Sequence, residues 1–307
     1  MVKHMVENKS IYTLSTEPMN TLKKHKTLHL LLLFFCTSNL FSQNFAGTII
    51  DATGSPIEFA TVYINETSCG THSNSAGQFK LTCDQNLLSD SNFLFISYVG
   101  YNSKKIAIGN FQNNDTLVLT TINMDLALVE IVENKSIELE DFKLEYAIKK
   151  PYFYYQTDVV SNYQLASRIP NKNQHTAYLS ELKFKVGKVA NTKTPTRILF
   201  YNVDPACNCP GKPINTTDII VRLKPGRNKV DLGNYAIKIP KSDFYIVFEW
   251  LHHSDKETKK LDFSIGMIPF KSEYPIMERK GGLNWQPIRR SGSSRIWTQL
   301  NVLSEQK

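Results

Sequence analysis

The feature that most constrains this fold is a series of short apolar runs that recur about every ten residues between turn signals. Within residues 44–132 the runs alternate apolar and polar positions, as in 57–64, and no helical period replaces this alternation. Thr53–Pro56 and Asn74–Gly77 are two of the turns that separate them. The pattern predicts an antiparallel β-sandwich, which we call the N-terminal module (44–132).

Eight strands are predicted in the N-terminal module, and the two that flank Asn74–Gly77 are predicted to form a hairpin. The predicted strands are 44–51, 57–64, 68–73, 78–83, 93–99, 103–108, 115–121 and 126–132.

Three ordered motifs occur in this module. The first begins at Phe45 and reads FAGTIIDATGSPIEFATVYI, the second lies between Gly70 and Phe79, and the third, ISYVGY, begins at Ile96. In this order they resemble the carboxypeptidase regulatory-like domain found in exported bacterial proteins. The resemblance implies a prealbumin-like Greek-key β-sandwich. The motif residues shape turns and a core, so they specify a fold and not a catalytic site.

The β pattern returns after a segment of ambiguous period, 133–158, which is predicted to be a connector that partly joins the next module. We call 159–307 the C-terminal module. It resembles uncharacterised regions that follow regulatory-like domains, and it is predicted to be a second antiparallel, jelly-roll-like β-sandwich. The fold class is therefore all-β. The predicted strands are 160–169, 178–187, 196–204, 216–223, 228–232, 243–251, 260–266 and 294–303.

The segment Met19–Gln43 has the order of charge, apolar run and small residues that is typical of a secretory signal peptide. Its apolar run, 28–36, is shorter than the ~20 residues that span a membrane. A buried helix is the alternative interpretation. We expect residues 1–43 to comprise upstream residues and a signal peptide, with Met19 as the start. The mature protein is then exported to the periplasm, the outer membrane or the cell surface, and is peripheral to the membrane at most.

The sequence carries no recognisable catalytic motif. A metallocarboxypeptidase needs two histidines and a glutamate on zinc, but none of His72, His175, His252 and His253 has a glutamate three residues later. The formal net charge of +8 is scattered along the chain, which argues against a nucleic-acid partner. No cofactor and no metal are expected. His252 and His253, with the nearby Asp255, are interpreted as a polar loop, with a metal or acid–base role as the alternative.

Four cysteines follow the signal segment, and export favours disulfides. Cys69 and Cys83 lie on the two arms of the predicted hairpin, nearly opposite in register, and we predict a bridge between them. Cys207 and Cys209 either pair locally or contribute to a metal site that would need two further ligands.

Aromatic residues supply the remaining candidates for ligand contact. Trp285 follows a pair of glycines, Trp250 ends a strand, and Tyr154 lies in a run of four aromatic residues. Exposed aromatic faces stack on sugar rings, but a sandwich core uses the same residues. Trp285 is the best candidate for an exposed ring.

The functional prediction is a non-catalytic, exported cell-envelope binding or scaffold protein whose partner is an envelope glycan or an envelope protein. The alternative is a divergent, glycan-directed hydrolase that uses carboxylates of the C-terminal module, since such carboxylates come from distant strands and leave no motif.

Overall fold

The computed structural model describes residues 42–122, 139–145, 153–158, 162–172, 174, 176–187, 195–251, 262–269, 274–288, 294–296 and 298–305, some of them by backbone alone. Within these ranges the chain forms strands and three short 3-10 helices, at Gln85–Leu87, Ile108–Asn110 and Gly233–Tyr235, and no α-helix. The all-β prediction is confirmed. None of the described residues forms a helix with the length and apolar character of a membrane span.

The N-terminal module has two sheets. Sheet A has the order β4-β1-β7, in which β1 runs antiparallel to β4 and parallel to β7. Its strands are β1 (Ser42–Asp51), β4 (Gln78–Asp84) and β7 (Asp115–Leu119). Sheet B is antiparallel, with the order β3-β2-β5-β6. Its strands are β2 (Thr61–Ile64), β3 (Gly70–His72), β5 (Phe93–Ser97) and β6 (Lys104–Ala107).

The core of this module lies between sheets A and B because each strand buries alternate side chains. In β4, Phe79, Leu81 and Cys83 are buried while the residues between them are exposed. They pack with Phe45 and Ile49 of β1. Residues of the first two motifs therefore occupy positions in the core, as predicted from the sequence.

The predicted hairpin at Asn74 is wrong, although the turn is present. The backbone N–H of Asn74 donates to Gln78 O at 2.8 Å, yet β3 pairs with β2 in sheet B and β4 pairs with β1 in sheet A. Ser73 explains the departure: its hydroxyl donates to Ile57 O and accepts from Ala60 N, which holds the chain beside the β2 side of the sandwich. The turn therefore links two sheets.

The C-terminal module also has two large sheets. Sheet C has the order β13-β12-β17-β10-β19-β20, with β14 on β12. Its strands are β10 (Tyr163–Ile169), β12 (Pro195–Asp204), β13 (Cys209–Pro213), β14 (Ile220–Arg222), β17 (Phe244–Trp250), β19 (Met277–Lys280) and β20 (Gln286–Pro287).

Sheet D has the order β21-β18-β11-β22-β8, with β15 and β16 on β11 and β9 on β18. Its strands are β8 (Leu139–Glu145), β9 (Phe153–Asp158), β11 (Ala177–Val186), β15 (Gly226–Asp231), β16 (Lys238–Ile239), β18 (Asp262–Pro269), β21 (Ser294–Ile296) and β22 (Thr298–Glu305). The segment 133–158, predicted as a connector, thus contributes two strands to the sheet of the C-terminal module.

The main core of the C-terminal module lies between sheets C and D. Phe200, Phe244 and Phe248 enter it from sheet C, and Phe184 and Leu300 enter it from sheet D. Strand β17 is buried at every position, not at alternate ones. Sheet D covers only one face of this strand, so a second layer must cover the other face. The N-terminal module forms part of that layer. Residues 42–307 accordingly form one compact unit.

Candidate functional site at the junction of the two modules

The outer face of sheet C carries a row of polar side chains that crosses four strands. Arg197 of β12 is opposite Glu249 of β17, Glu249 is opposite Gln164 of β10, and Gln164 is opposite Arg279 of β19. Residues opposite each other in register share a face of the sheet. We call these four residues the junction row. Sheet B of the N-terminal module covers its Arg197 end.

Arg197 is the centre of the contact between the modules. It is 1% exposed, and its guanidinium donates five hydrogen bonds. Nε and Nη2 donate to the two carboxylate oxygens of Asp218 at 2.7 and 2.9 Å. Nη1 donates to Glu249 at 2.9 Å and to the Thr61 hydroxyl at 3.2 Å, and Nη2 also donates to Phe59 O at 2.7 Å. An arginine has five N–H donors, so all of them are used inside the protein.

Glu249 is held from both modules as well. It is 1% exposed, and its Oε1 accepts from the Thr61 hydroxyl at 3.2 Å. The same oxygen lies 3.3 Å from Nε2 of His72, which is also buried. A buried carboxylate without partners would cost several kcal/mol, so these contacts are what makes its burial tolerable.

The backbone at Phe59 has an unusual conformation at the point where its carbonyl accepts from Arg197. Its φ is 61°, a left-handed conformation in which bulky residues are genuine outliers. Such a conformation costs roughly 1–3 kcal/mol and persists only where its surroundings fix it. Here the N–H of Phe59 donates to Ser73 O while its carbonyl accepts from Arg197. The backbone strain thus lies at the junction.

The charges of Glu249 and Arg197 stay fixed over a wide pH range. Burial by itself would raise the pKa of the Glu249 carboxyl, but Arg197 and the hydrogen bond with His72 hold it well below its usual range. Burial would lower the pKa of Arg197, but Glu249 and Asp218 raise it above its ordinary value. Burial and the Asp218 carboxylate raise the pKa of Tyr98 to about 12. These are the directions expected of a structural ion network.

Backbone contacts extend the junction beyond the charges. The N–H of Gly282 donates to Thr67 O at 2.9 Å, and its carbonyl accepts from the N–H of Glu66 at 3.0 Å. A methyl group added at Gly282 would lie 2.1 Å from the carbonyl oxygen of Ile64. Only glycine fits this approach, which explains one of the two glycines before Trp285.

The arrangement does not provide acid–base chemistry. Glu249 and Asp218 bind the same guanidinium, but a general acid needs a raised pKa and that of Glu249 is lowered. The Arg197 donors are all engaged, which leaves none of them for a substrate. The network joins the modules.

An aromatic margin borders this network, and we define it as Tyr63, Phe95 and Trp285. Tyr63 and Phe95 stack on the outer face of sheet B, with ring centroids 5.3 Å apart. Trp285 follows Gly282, which contacts Tyr63, and its ring lies 5.0 Å from the Arg279 guanidinium. All three rings are half-buried. They offer partly exposed aromatic faces beside a cation.

The structure contains the predicted Cys69–Cys83 disulfide, and it pairs Cys207 with Cys209, one of the two alternatives for these cysteines. Cys69 and Cys83 have Cα atoms 5.6 Å apart, and Cys207 and Cys209 have Cα atoms 5.2 Å apart. The first bridge joins sheet A to the start of β3, not two arms of one hairpin. Among the described residues, no group of three or more His, Cys, Asp or Glu is placed to hold a metal ion.

The predicted ligand-contact residues have different positions. Trp250 is 2% exposed and contacts Tyr163, which corrects its candidacy for ligand contact, because its side chain faces the core between sheets C and D. Trp285 is half-buried over the outer face of sheet C. Tyr154 lies in β9, and its side chain is outside the described residues, as are His252, His253 and Asp255.

Sequence reasoning missed Arg197, Glu249 and His72 as partners. The only signal is a single charge inside each of two apolar strands, RILF from Arg197 and FYIVFEW ending at Trp250. A charge at a buried strand position requires a partner. The sequence does not say which partner.

The comparisons with known proteins bear on the N-terminal module. Residues 45–132 match the model of the CarboxypepD_reg-like domain family. The resemblance drawn from the three motifs is confirmed, and the module is a CarboxypepD_reg-like domain. No curated protein sequence matches the chain.

Some solved structures align with the chain, but only loosely. The cysteine protease and lectin-like domains of Cwp84, a surface layer associated protein of Clostridium difficile, align with a TM-score of 0.37 and 8% identity. That alignment covers 81% of this chain and 59% of the length of the other. BcpA, the major pilin subunit of Bacillus cereus, aligns with a TM-score of 0.18, 8% identity, and 86% and 69% coverage.

Proposed function

We propose that this protein is an exported, non-catalytic binding or scaffold protein of the cell envelope, whose partner is an envelope glycan or an envelope protein. The junction carries the proposal. Arg197 uses every donor on groups of both modules, so it joins the CarboxypepD_reg-like domain and the C-terminal sandwich into one compact unit. A binding surface built on fixed strands holds its side chains in place before the partner arrives.

The compartment is supported by two independent features. The Met19–Gln43 segment has signal-peptide character, and the structure contains two disulfides, which persist in oxidising compartments. The periplasm, the outer membrane and the cell surface all fit, and the chain would be peripheral to the membrane at most.

The aromatic margin is the surface that we assign to the partner. Tyr63, Phe95 and Trp285 present partly exposed rings, and Arg279 and Lys105 lie against rings of this region. Sugar C–H faces stack on aromatic rings, and cations beside the rings can bind hydroxyl or carboxylate groups. Protein partners use the same residue types as anchors.

Two assays with the mature chain test the proposal: a glycan array, and a pull-down from the envelope fraction. We expect a bound glycan or protein whose binding weakens in Trp285→Ala and not in Leu87→Ala. Leu87 is a matched control because its side chain is 49% exposed and lies in a separate 3-10 helix. Blank results in both assays would count against the proposal. Release of new sugar ends from envelope polysaccharides would instead favour a hydrolase.

A further inference from the structure

The turn between β12 and β13 contains a disulfide that closes over a single residue. Cys207 and Cys209 are 2 positions apart in sequence, with Asn208 between them. Cys207 is exposed, whereas Cys209 is 9% exposed and packs in an apolar cluster with Leu199 and Val247 on the outer face of sheet C. One end of this bond therefore faces water, and the other end faces the protein.

The Cys69–Cys83 disulfide has the opposite environment. These cysteines are 8% and 1% exposed, belong to the core between sheets A and B, and are 14 positions apart. A disulfide stabilises a fold mainly by restricting the unfolded chain, and this effect grows with the length of the closed loop. The fold therefore depends less on the Cys207–Cys209 bond. Exposed disulfides are also the ones that react readily with thiols.

Hydrogen bonds that do not involve the cysteine side chains hold this turn. The Asp204 carboxylate accepts from the backbone N–H of Ala206 at 2.9 Å. The Tyr245 hydroxyl donates to Asn208 O at 2.5 Å, and Nη1 of Arg168 donates to Asn208 Oδ1 at 3.5 Å. Asn208 has φ 51°, a left-handed conformation that asparagine adopts more readily than most residues. We expect these contacts to keep two thiols side by side after reduction, so that the bond can form again.

We propose that the Cys207–Cys209 bond is a thiol-exchange site that accepts a cysteine thiolate at the Cys207 sulfur. The attacking thiolate must reach a disulfide sulfur, and Cys207 is the one exposed cysteine of the two bridges in the described structure. Free cysteines of newly exported polypeptides and small cysteine-containing thiols such as glutathione share this chemistry. The activity is additional to the proposed function and does not use the aromatic margin.

The exchange proceeds in two steps. The partner thiolate bonds to Cys207 Sγ, the bond between the two Sγ atoms breaks, and its electron pair goes to Cys209 Sγ, which takes a proton from water. A second partner thiolate then attacks the partner sulfur of the mixed disulfide and releases the Cys207 thiolate, which is protonated in turn. Two partner thiols are thus oxidised to one disulfide, and the disulfide of this chain is reduced to two thiols. The oxidant is the Cys207–Cys209 bond itself.

Glutathione buffers with an increasing ratio of reduced to oxidised form test the order of reduction in the mature wild-type chain. Acid quenching, alkylation and peptide mass spectrometry then identify each free thiol and each mixed disulfide. We expect the Cys207–Cys209 bond to open at a ratio at least about tenfold lower than the Cys69–Cys83 bond, with glutathione attached to Cys207. Opening of both bonds at the same ratio, or of Cys69–Cys83 first, would overturn the proposal.

A parallel arm replaces glutathione by a reduced synthetic peptide with two cysteines. Faster exchange with the peptide identifies a polypeptide as the partner, and faster exchange with glutathione identifies a small thiol. Exchange with neither compound would contradict the site.

Two matched variants test which sulfur reacts. Cys209→Ser leaves the exposed thiol and Cys207→Ser leaves the buried one, and each variant is mixed with oxidised glutathione. We expect the mixed disulfide to form at least about tenfold faster in Cys209→Ser. Equal rates would exclude Cys207 as the preferred position. The buffer series needs no variant, so it still decides if one of them does not fold.

The aromatic margin separates this activity from the proposed function. Trp285→Ala should exchange thiols at the wild-type rate, because the exchange involves only the turn at Cys207. A blank glycan array and a blank pull-down would therefore count against the proposed function and leave the exchange intact. A slower exchange in Trp285→Ala would contradict the independence of the two sites.

Discussion

The two outer faces of the CarboxypepD_reg-like domain have opposite environments. On sheet B, Thr61 and His72 are buried against Glu249 of the C-terminal module. On sheet A, Thr48 and Lys80 border an open groove. Both faces arise from the same alternation of inward and outward side chains. The side chains of the covered face contact a buried charge, which needs hydrogen-bond partners inside the protein. The polar side chains of the open face are hydrated by water and need no such partners. Burial therefore depends on the partner surface, not on the strand pattern.

The largest expected effect comes from removing the cation of the junction. Arg197→Met leaves the buried Glu249 and the partly buried Asp218 without the cation that they share, so the free energy of unfolding in urea should fall by about 3–5 kcal/mol. Lys229→Met is the control, because Lys229 pairs with Glu181 with its side chain 64% exposed and should cost at most ~1 kcal/mol. Should Arg197→Met fail to fold, Arg197→Lys, which keeps the charge but loses donors, is expected to fold with intermediate stability. If Arg197→Met and Lys229→Met lower the free energy of unfolding by similar amounts, the hydrogen bonds of Arg197 do not stabilise the fold.

The second effect concerns the bridge between the two sheets. Cys69→Ser with Cys83→Ser removes a link between residues 14 apart in sequence, and should cost about 3 kcal/mol. The same change at Cys207 and Cys209, 2 residues apart, should cost roughly half as much because the closed loop is shorter. Urea unfolding measures both. Four reactive thiols in the unreduced protein would contradict both bridges.

A close backbone contact gives the third effect. Gly282→Ala forces a methyl group against Ile64 O and should cost about 1–3 kcal/mol as the modules separate slightly. Gly109→Ala places its methyl group in open space and should change stability by no more than ~0.5 kcal/mol. If thermal unfolding shows equal shifts for the two variants, the close approach at Gly282 does not hold the junction.

The fourth effect is acid sensitivity. The pKa of Glu249 is lowered in the folded protein, so its ionised form stabilises the fold above its ordinary pKa of ~4.3. This stabilisation is lost progressively as the pH falls below that value toward the lower folded pKa. The free energy of unfolding should thus decrease below about pH 4, and less steeply in Glu249→Gln. Parallel pH profiles for the two proteins would contradict this.

The smallest effect on stability belongs to the open face. Ala46→Tyr places a strand-favouring residue on the solvent side of sheet A and should change the free energy of unfolding by no more than ~0.5 kcal/mol. A loss comparable to that of Arg197→Met would mean that this face is packed and not a groove.

Sequence patterns predicted the strands better than their pairing. The alternation in β4 is regular enough to place that strand at 78–83, and the structure has it at Gln78–Asp84. The turn at Asn74 is also correct, but a turn signal does not say which strands pair beside it. Ser73 decides this through bonds to Ile57 and Ala60, which no local pattern shows. The sequence left Trp250 open between ligand contact and the core for a similar reason, since its burial depends on the packing of sheet D against sheet C.

What the sequence by itself determined is the all-β class and the CarboxypepD_reg-like domain, because alternation, turn residues and ordered motifs are local properties of the chain. Only the tertiary structure decided that Arg197 meets Glu249, Thr61 and Asp218. Those contacts join residues as far apart in sequence as 136 positions, and a hydrogen bond depends on distance in space. The groove on the outer face of sheet A is likewise tertiary, since residues of β1, β4 and two separate loops line it.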